Sequence, residues 1–292
     1  MGAGPTPYTT VNTSRLSARM VYTTNMNAEY VTSAKNPTVK YVKKLINSSK
    51  YRASEQRAVI EGIHLTQSLL KSNIEPKLIL YAESALENDE IKELAGQIEL
   101  GDTRPTVLKD SVFTTISDIH TTSGIVAVFE PAAVVMPDKL TQNTVLLEAI
   151  QDPGNLGTIL RTVAAAGIKD VMVSGDSASA WSPKTLRAGM GAQFALNICE
   201  SADLVALVSH AQIPSIAAAL DEDSQSLYSV NLKTNVVWVF GNEGQGVSDE
   251  LLAACKTKVI IPQADNTVES LNVAASVAVC LFEQRRQSQV QS

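Results

Sequence analysis

The sequence predicts an α/β protein in which a small α/β domain precedes a larger domain built on a parallel sheet. Short apolar runs alternate with helical segments over residues 140–288, a pattern typical of parallel sheets. A separate set of helical and strand segments lies before residue 131, and 292 residues are enough for two domains. With 45% hydrophobic and 18% charged residues, the chain as a whole is not of the disordered class.

The first 30 residues are rich in Ser and Thr and contain no acidic residue before Glu29. We predict a disordered tail over residues 1–30, with an organelle-targeting segment as the alternative. Residues 31–131 form the first predicted domain. Residues 132–139 contain no clear period and are the predicted linker.

A basic helix opens the first domain. Asn36 and Pro37 are a suitable N-cap and first helical residue, and Val39, Val42 and Ile46 form an apolar stripe after them. Residues 31–57 contain seven basic residues and one acidic residue, which gives this stretch a net charge of +6 and the remainder −12. The overall charge of −6 argues against a surface that binds nucleic acid everywhere, so any such contact is expected to be local.

The second domain alternates predicted strands and helices. The predicted strands cover residues 144–150, 170–174, 194–199, 213–220, 236–240 and 258–261. Helices are predicted over residues 156–166, from Pro183, near Leu204 and over residues 271–286. Ligands in open parallel sheets bind at the carboxyl ends of the strands, so the loops after these strands are the candidate sites.

Three of these loops have unusual sequences. Residues 151–161 read Q-D-P-G-N-L-G-T-I-L-R, residues 241–246 read G-N-E-G-Q-G, and residues 262–269 lead into S-L-N-V-A. The glycine spacing G-x-x-G-x-G is not the dinucleotide-binding pattern, and no G-K-[ST] follows. A nicotinamide or triphosphate site is therefore not predicted, so the sequence does not support an oxidoreductase function.

The scattered cysteines and histidines predict neither a disulfide framework nor a metal site. No apolar run approaches the roughly 20 residues that a membrane span requires. We therefore expect a cytoplasmic protein that neither spans a membrane nor binds a metal ion.

Four sequence blocks of the second domain occur together and in order. They are D-P-G-N-L-G-T-I-L-R-T, S-P-K-T-L-R-A-G-M-G-A, F-G-N-E-G-Q-G, and I-P with S-L-N-V-A-A. Over residues 145–286 the chain resembles the SpoU/TrmH branch of the SPOUT methyltransferases, which methylate the ribose 2′-oxygen of RNA. The stretch S-A-K-N-P-T-V-K-Y-V-K-K-L with V-I-E-G-I-H-L resembles the ribosomal-protein-like RNA-binding domain that many members carry in front.

The resemblance implies a trefoil-knotted SPOUT domain that uses S-adenosyl-L-methionine and forms a homodimer. It places the cofactor against the backbone of Gly241, Ile261 and Leu271, and the catalytic set on Asn155, Arg161, Glu243, Ser270 and Asn272. The remaining expected cofactor-binding residues are Asn242, Gly246, Pro262 and Ala274. The expected RNA-binding residues are Lys35, Lys40, Lys43, Lys44, Arg52 and Arg187. The last predicted helix supports a dimer independently, because residues 270–282 contain no charge.

Each catalytic candidate also has a purely structural interpretation. Asn155 and Ser270 are suitable helix N-caps, and Arg161 is an ordinary surface charge if considered alone. Our hypothesis is that Arg161 binds the phosphate beside the target ribose and polarises its hydroxyl, with Glu243 and Asn155 fixing the arginine. Ser270 and Asn272 would then hold the phosphate and the arginine.

Two further questions stay open at the level of sequence. Ribosomal RNA is the expected substrate, with tRNA or a non-catalytic RNA-binding role in ribosome assembly as alternatives. Gln263 stands where methionine is common in the family, and Ile261 and Leu271 are one residue further apart than expected, so the third loop departs from the family pattern at these positions.

Overall fold

The structure is a computed structural model that describes residues 28–98, 105–117, 123–221, 223–264 and 270–289. Residues 1–27 of the predicted tail, His120 and part of the third loop lie outside the described residues. The predicted tail was too long, because Glu29 and Tyr30 already belong to the first strand. A three-residue strand that starts inside a polar stretch gives no period that a sequence pattern can detect.

The first domain has five strands and five helices among its described residues. The strands are β1 (Glu29–Val31), β2 (Ala58–Glu61), β3 (Leu78–Ala82), β4 (Thr106–Leu108) and β5 (Ile125–Phe129). The helices are α1 (Pro37–Asn47), α2 (Ser49–Glu55), α3 (Ile63–Lys71), α4 (Asp89–Gln97) and α5 (Asp110–Phe113). The strands form a mixed sheet in the order β1-β4-β3-β5-β2, with hydrophobic clusters on both faces.

Helix α1 begins as the sequence predicts. The Asn36 side chain accepts a hydrogen bond from the Thr38 amide, and Pro37 occupies the first helical turn. The buried stripe differs from the prediction at one position, since Leu45 is buried with Val39 and Val42 while Ile46 is only half-buried. The lysines of this helix are therefore exposed on the side away from the core.

The described residues of the second domain form a sheet of seven strands flanked by helices. The strands are β6 (Thr144–Leu147), β7 (Asp170–Val173), β8 (Asn197–Glu200), β9 (Ser215–Ala218), β10 (Gln225–Ser226), β11 (Val237–Phe240) and β12 (Thr257–Ile260). The helices are α6 (Pro153–Ala166), α7 (Pro183–Gly189), α8 (Leu204–Ser209), α9 (Asp249–Ala254) and α10 (Val273–Gln289).

All pairs of neighbouring strands in this sheet are parallel, which confirms the predicted architecture. The order β10-β12-β9-β11-β6-β7-β8 places β11 beside β6, so the loops that follow these two strands leave the same edge. Three of the six predicted strands are two to four residues shorter in the structure, because apolar residues at their ends belong to the turns. The sequence interpretation missed β10 and α9, which are two and six residues long.

Helix α10 closes the second domain over β11. The indole of Trp238, fully buried in β11, donates a hydrogen bond of 2.7 Å to Oε1 of Gln284 in α10. The amide group of Gln284 donates in turn to Asn143 Oδ1, just before β6. Such a satisfied buried polar chain fixes the position of the helix relative to the sheet.

Aromatic side chains join the two domains. Phe129, at the end of β5, contacts Trp181 and Phe194 of the second domain edge to face, with ring centroids 6.2 and 5.4 Å apart. Leu186 of α7 is fully buried within the hydrophobic cluster of the first domain. The two domains therefore share a continuous apolar interface.

None of the helices in the described ranges is both long and apolar enough to cross a membrane.

Candidate functional site

Three of the predicted catalytic residues form a hydrogen-bonded chain at the carboxyl edge of the parallel sheet. Asn155 donates from Nδ2 to Glu243 Oε1 over 3.0 Å, and its Oδ1 accepts from Nδ2 of Asn272 over 3.1 Å. These residues come from α6, the loop after β11, and the start of α10. The chain fixes the rotamer and the amide orientation of Asn155, because its carbonyl and amino ends have different partners.

The helix starts that carry these residues have caps other than those proposed from the sequence. Asp152 caps α6 by accepting from the Asn155 amide, and Asn272 Oδ1 accepts from the Ala274 amide at the start of α10. The alternative interpretations of Asn155 and Ser270 as N-caps were therefore wrong. The side chain of Asn155 remains available for its contacts with Glu243 and Asn272.

The glycine-rich loop is a compact turn held by Asn242. Its backbone exchanges two hydrogen bonds of 2.9 Å with Gly246, and its side chain accepts from the amides of Gly244 and Gln245. The side-chain amide also donates to the Ala149 carbonyl, which joins this loop to the loop after β6. A Cβ atom on Gly241 would lie 2.1 Å from the Gly246 carbonyl oxygen, so only glycine fits there.

A groove of about 410 Å³ lies beside this turn. Of the seven expected cofactor-binding residues, five line it; they are Gly241, Asn242, Gly246, Ile261 and Leu271. Glu243 and Ser270 line it as well. The structure does not place Pro262 or Ala274 among the lining residues: Pro262 is exposed and Ala274 is buried in the core.

The groove contains a buried polar atom that lacks a partner. Oε1 of Gln263 is inaccessible to solvent and accepts no hydrogen bond from the residues that the structure describes. An unsatisfied buried acceptor is costly, and a bound ligand with a donor would satisfy it. The size of the groove, its bent glycine backbone and this free acceptor fit a nucleoside-sized cofactor.

The loop after β9 also lines the groove, and sequence reasoning missed it. Leu220 is 62% exposed there, and Asp221 receives a hydrogen bond of 2.6 Å from Nζ of Lys258. This bond lowers the pKa of Asp221 and raises the pKa of Lys258. This loop reaches the groove because β9 lies between β12 and β11, and that strand order cannot be read from the periodicity of the sequence.

Arg161 is not held by the hydrogen-bonded chain. It lies six residues beyond Asn155 in α6, roughly 9 Å further along the axis and on another side of the helix. Its side chain is exposed, and no hydrogen bond or ion pair engages its guanidinium among the residues that the structure describes. Glu243 thus orients Asn155 rather than Arg161 in the single chain.

The expected RNA-binding residues divide into two groups. Lys35, Lys40, Lys43 and Lys44 are exposed on or beside α1, and Arg187 is half-buried in α7. Arg52 was predicted to contact phosphate, but it is buried and its Nη1 donates to the carbonyls of Leu45 and Ile46. Burial lowers the pKa of Arg52, although the charge of Glu200 opposes this effect.

The described ranges contain no group of three His, Cys, Asp or Glu side chains arranged to hold a metal ion. The described cysteines are free thiols.

Comparison with known proteins agrees with this geometry. A sequence model of the SpoU rRNA Methylase family matches residues 142–282, and one of the MRM3-like substrate binding domain matches residues 36–127. An uncharacterized tRNA/rRNA methyltransferase of Synechocystis sp. is 31% identical over 88% of this chain and 93% of its own. The 23S rRNA (guanosine(2553)-2'-O)-methyltransferase RlmP of Bacillus subtilis is 29% identical over 87% and 98%.

A solved structure extends the agreement to three dimensions. The AdoMet-bound rRNA methyltransferase from Sinorhizobium meliloti superimposes with a TM-score of 0.77 at 28% identity, covering 89% of this chain and 98% of the other. The family-model match and the relative that is 31% identical show that the chain belongs to the SpoU family of RNA methyltransferases.

Proposed function

We propose that this protein transfers a methyl group to a ribose 2′-hydroxyl of ribosomal RNA. The observation that carries the proposal is the chain Glu243–Asn155–Asn272, which lies at the rim of the glycine-rich groove. The names of the relatives support ribosomal RNA, and the relative from Synechocystis keeps tRNA as the second candidate.

The groove is suited to S-adenosyl-L-methionine. The backbone of Gly241, Ile261 and Leu271 would hold it, and Oε1 of Gln263 would accept a hydrogen bond from one of its amino groups. When bound, S-adenosyl-L-methionine supplies a methyl group on a sulfonium centre, which is already a good leaving group. The residues around it must then position the ribose oxygen and accommodate the hydroxyl proton.

The polar residues divide this work. Glu243 accepts from Asn155 and thereby fixes an amide that faces the site from α6. Asn272 links the same amide to α10, so the three elements hold one geometry. None of the described residues engages the donors of Arg161, so they are available for a phosphate beside the target ribose, which a planar guanidinium binds in bidentate fashion. A guanidinium has donors and no acceptor, so Arg161 is suited to polarising the hydroxyl, whose proton would leave to water.

The decisive experiment measures methyl transfer directly. Purified protein is incubated with labelled S-adenosyl-L-methionine and with transcripts of ribosomal RNA or tRNA, and the label is then mapped to the modified nucleoside. We expect a 2′-O-methylated nucleoside in ribosomal RNA. Cofactor binding in a calorimeter without label in either RNA would contradict the enzyme and favour the non-catalytic role.

The role of Arg161 is tested by Arg161→Lys in single-turnover transfer. Lysine keeps the positive charge but lacks the planar pair of N–H donors. We therefore expect a methyl-transfer rate at least about tenfold lower, at unchanged affinity for the cofactor. Arg57→Lys, which changes an arginine of the first domain paired with Glu130, is the control outside the sheet edge and the face of α6 and α10. A wild-type rate for Arg161→Lys would exclude the bidentate contact.

We further infer that two copies associate through α6 and α10. These helices run in the same direction, because Asn155 contacts Asn272 at one end and Ala166 accepts from Arg285 at the other. Their outer face carries Ala165, Ala275 and Phe282, all of them exposed; Phe282 is 46% exposed. A second copy covering this face would bury the apolar surface and bring Arg161 towards the site of its partner.

Subunit mixing tests this arrangement. Phe282→Arg should shift the protein from dimer to monomer in light scattering, whereas Phe282→Leu should not. If Arg161 serves the partner's site, a mixture of inactive Arg161→Ala and inactive Glu243→Ala subunits should regain part of the activity. A mixture as inactive as its components would place Arg161 in its own subunit's site.

A further inference from the structure

An open groove of about 610 Å³ runs along α1 and α2 of the first domain. Three lysines and two tyrosines dominate its lining, namely Lys40, Lys43, Lys44, Tyr41 and Tyr51. No carboxylate lines it, and no ion pair engages these lysines within the described residues. The groove therefore combines unneutralised positive charge with aromatic surface.

The two tyrosines are arranged as neighbouring walls. Their ring centroids are 6.1 Å apart and their planes meet at 75°. Both side chains are half-buried, so each ring packs on the domain and still lines the groove. Nζ of Lys44 lies 5.4 Å from the centroid of the Tyr51 ring, within the range of a cation–π contact.

The groove is built on a rigid support. Ser48 ends α1 and also caps α2, where its hydroxyl accepts from the Tyr51 amide. The neighbouring Arg52 is buried and binds the last carbonyls of α1 at Leu45 and Ile46. These bonds fix α2 against α1, so the position of the Tyr51 ring does not depend on a bound partner.

We propose that this groove binds an unpaired stretch of the substrate RNA, with a base stacked on a tyrosine ring and the adjoining phosphates on the lysines. The inference rests on the proposed function, because it identifies the part of the substrate that the first domain holds. Lysines alone bind any polyanion. Aromatic rings add a preference for strands whose base faces are exposed, since stacking requires a free π-face.

Double-stranded RNA fits this groove less well. In an A-form helix the base faces are occupied by stacking, and recognition proceeds through the shallow minor groove and the phosphates. Two tyrosine walls would then contribute nothing. The pairing of rings with lysines accordingly points to a loop, bulge or single-stranded end.

The test uses fluorescence anisotropy with the full chain. The probe is a labelled ten-nucleotide RNA without self-complementarity, compared with the duplex that it forms with its complement. We expect the single strand to bind more tightly, Tyr51→Leu to weaken that binding about tenfold, and Tyr51→Phe to preserve it. The matched control is Tyr228→Leu, since Tyr228 is 58% exposed on the second domain.

The lysines are tested through the salt dependence. Replacing Lys43 by Gln should lower the slope of log affinity against log salt by roughly 0.7, the value for one single-strand phosphate contact. Lys71→Gln, an exposed lysine on α3, should leave the slope unchanged. An unchanged slope in Lys43→Gln would remove this lysine from the contact.

Two results would overturn the groove assignment. One is wild-type affinity of Tyr51→Leu for the single strand; the other is equal binding of duplex and single strand. Should Tyr51→Leu melt below the assay temperature, photocrosslinking of a 4-thiouridine strand to the wild-type protein replaces it. Crosslinks at Tyr41 or Tyr51 would support the assignment, and crosslinks confined to the second domain would overturn it.

The failure of this inference is distinguishable from failure of the proposed function. Strand binding that depends on Tyr51, without methyl transfer to any RNA, would leave the groove assignment intact and contradict the enzyme. Methylation of ribosomal RNA by a protein whose single-strand binding does not depend on Tyr51 would support the enzyme and contradict the groove assignment.

Discussion

A single basic residue shows how much burial changes the role of a charge. Counting charges over residues 31–57 placed Arg52 with the lysines as a phosphate contact, but the structure places it inside, bound to the carbonyls of Leu45 and Ile46. Charge is visible in a sequence, whereas the direction of a side chain depends on where the chain turns. The α1–α2 corner at Ser48 turns Arg52 inwards.

Removing the Arg52 side chain should therefore destabilise the protein rather than weaken RNA binding alone. We expect Arg52→Ala to lose about 2–3 kcal/mol of unfolding free energy, because charge-assisted hydrogen bonds to buried carbonyls are lost. Lys50→Ala, an exposed neighbour, should change it by less than about 0.5 kcal/mol. Urea denaturation measures both, and equal stability of the two variants would contradict the structural role.

Asn155 is the residue whose partners most constrain the active site. Asn155→Asp keeps the shape and the acceptor for Asn272, but it replaces the donor to Glu243 by a second carboxylate, so like charges break the link to Glu243. We expect the single-turnover rate to fall about a hundredfold, as for other losses of positioning. Affinity for S-adenosyl-L-methionine, measured by calorimetry, should change little.

The matched control is Asn231→Asp, an exposed asparagine outside the groove. If Asn155→Asp transferred methyl groups as fast as this control, Asn155 would have no part in positioning.

At the scale of elements, the contact between α6 and α7 depends on Gly157. A Cβ atom there would lie 2.5 Å from the Thr185 carbonyl oxygen and 2.6 Å from the Ala188 Cβ. The two helices can approach this closely only because position 157 has no side chain. The approach also sets where α6 presents Asn155 and Arg161.

Gly157→Ala should consequently cost about 1–3 kcal/mol of stability, the usual range for overpacking. At Gly96 in α4 an added Cβ atom has no neighbour within 4 Å, so Gly96→Ala should stabilise the protein by up to about 1 kcal/mol. Thermal and urea unfolding of both variants measure the difference. A Gly157→Ala variant as stable as Gly96→Ala would show that α6 and α7 separate easily.

The sequence predicted the elements of the second domain better than their arrangement. Apolar runs around Trp238 and Val145 indicated buried strands, and the Ser182-Pro183 pair indicated a helix start that the structure confirms. Periodicity does not encode which strands are neighbours, so the contribution of Leu220 and Asp221 to the groove could not be predicted. The partners of Asn155 depend on side-chain orientation, which the resemblance did not supply.

For the whole molecule, the aromatic interface around Phe129 decides whether the domains behave as one unit. Because Phe129, Trp181 and Phe194 pack together and Leu186 enters the core of the first domain, we expect a single cooperative thermal transition. The trefoil knot implied by the family resemblance stays a prediction for the second domain.

Phe194→Ala should weaken this coupling. We expect the calorimetric transition to broaden or divide in two, since the first domain loses an edge-to-face contact with the second. Val135 lies in the linker and is 89% exposed, so the Val135→Ala variant should unfold as the wild type does. One sharp transition in Phe194→Ala would show that other contacts are sufficient to couple the domains.

The positions of the two tryptophans have a practical consequence. Trp181 lies at the domain interface and Trp238 lies within β11, whose end carries Gly241 and the cofactor groove. Variants that retain one indole would therefore emit light from a single known location. The Trp238-only protein reports on the cofactor groove and the Trp181-only protein reports on the interface between the domains, so the two regions can be followed separately during turnover.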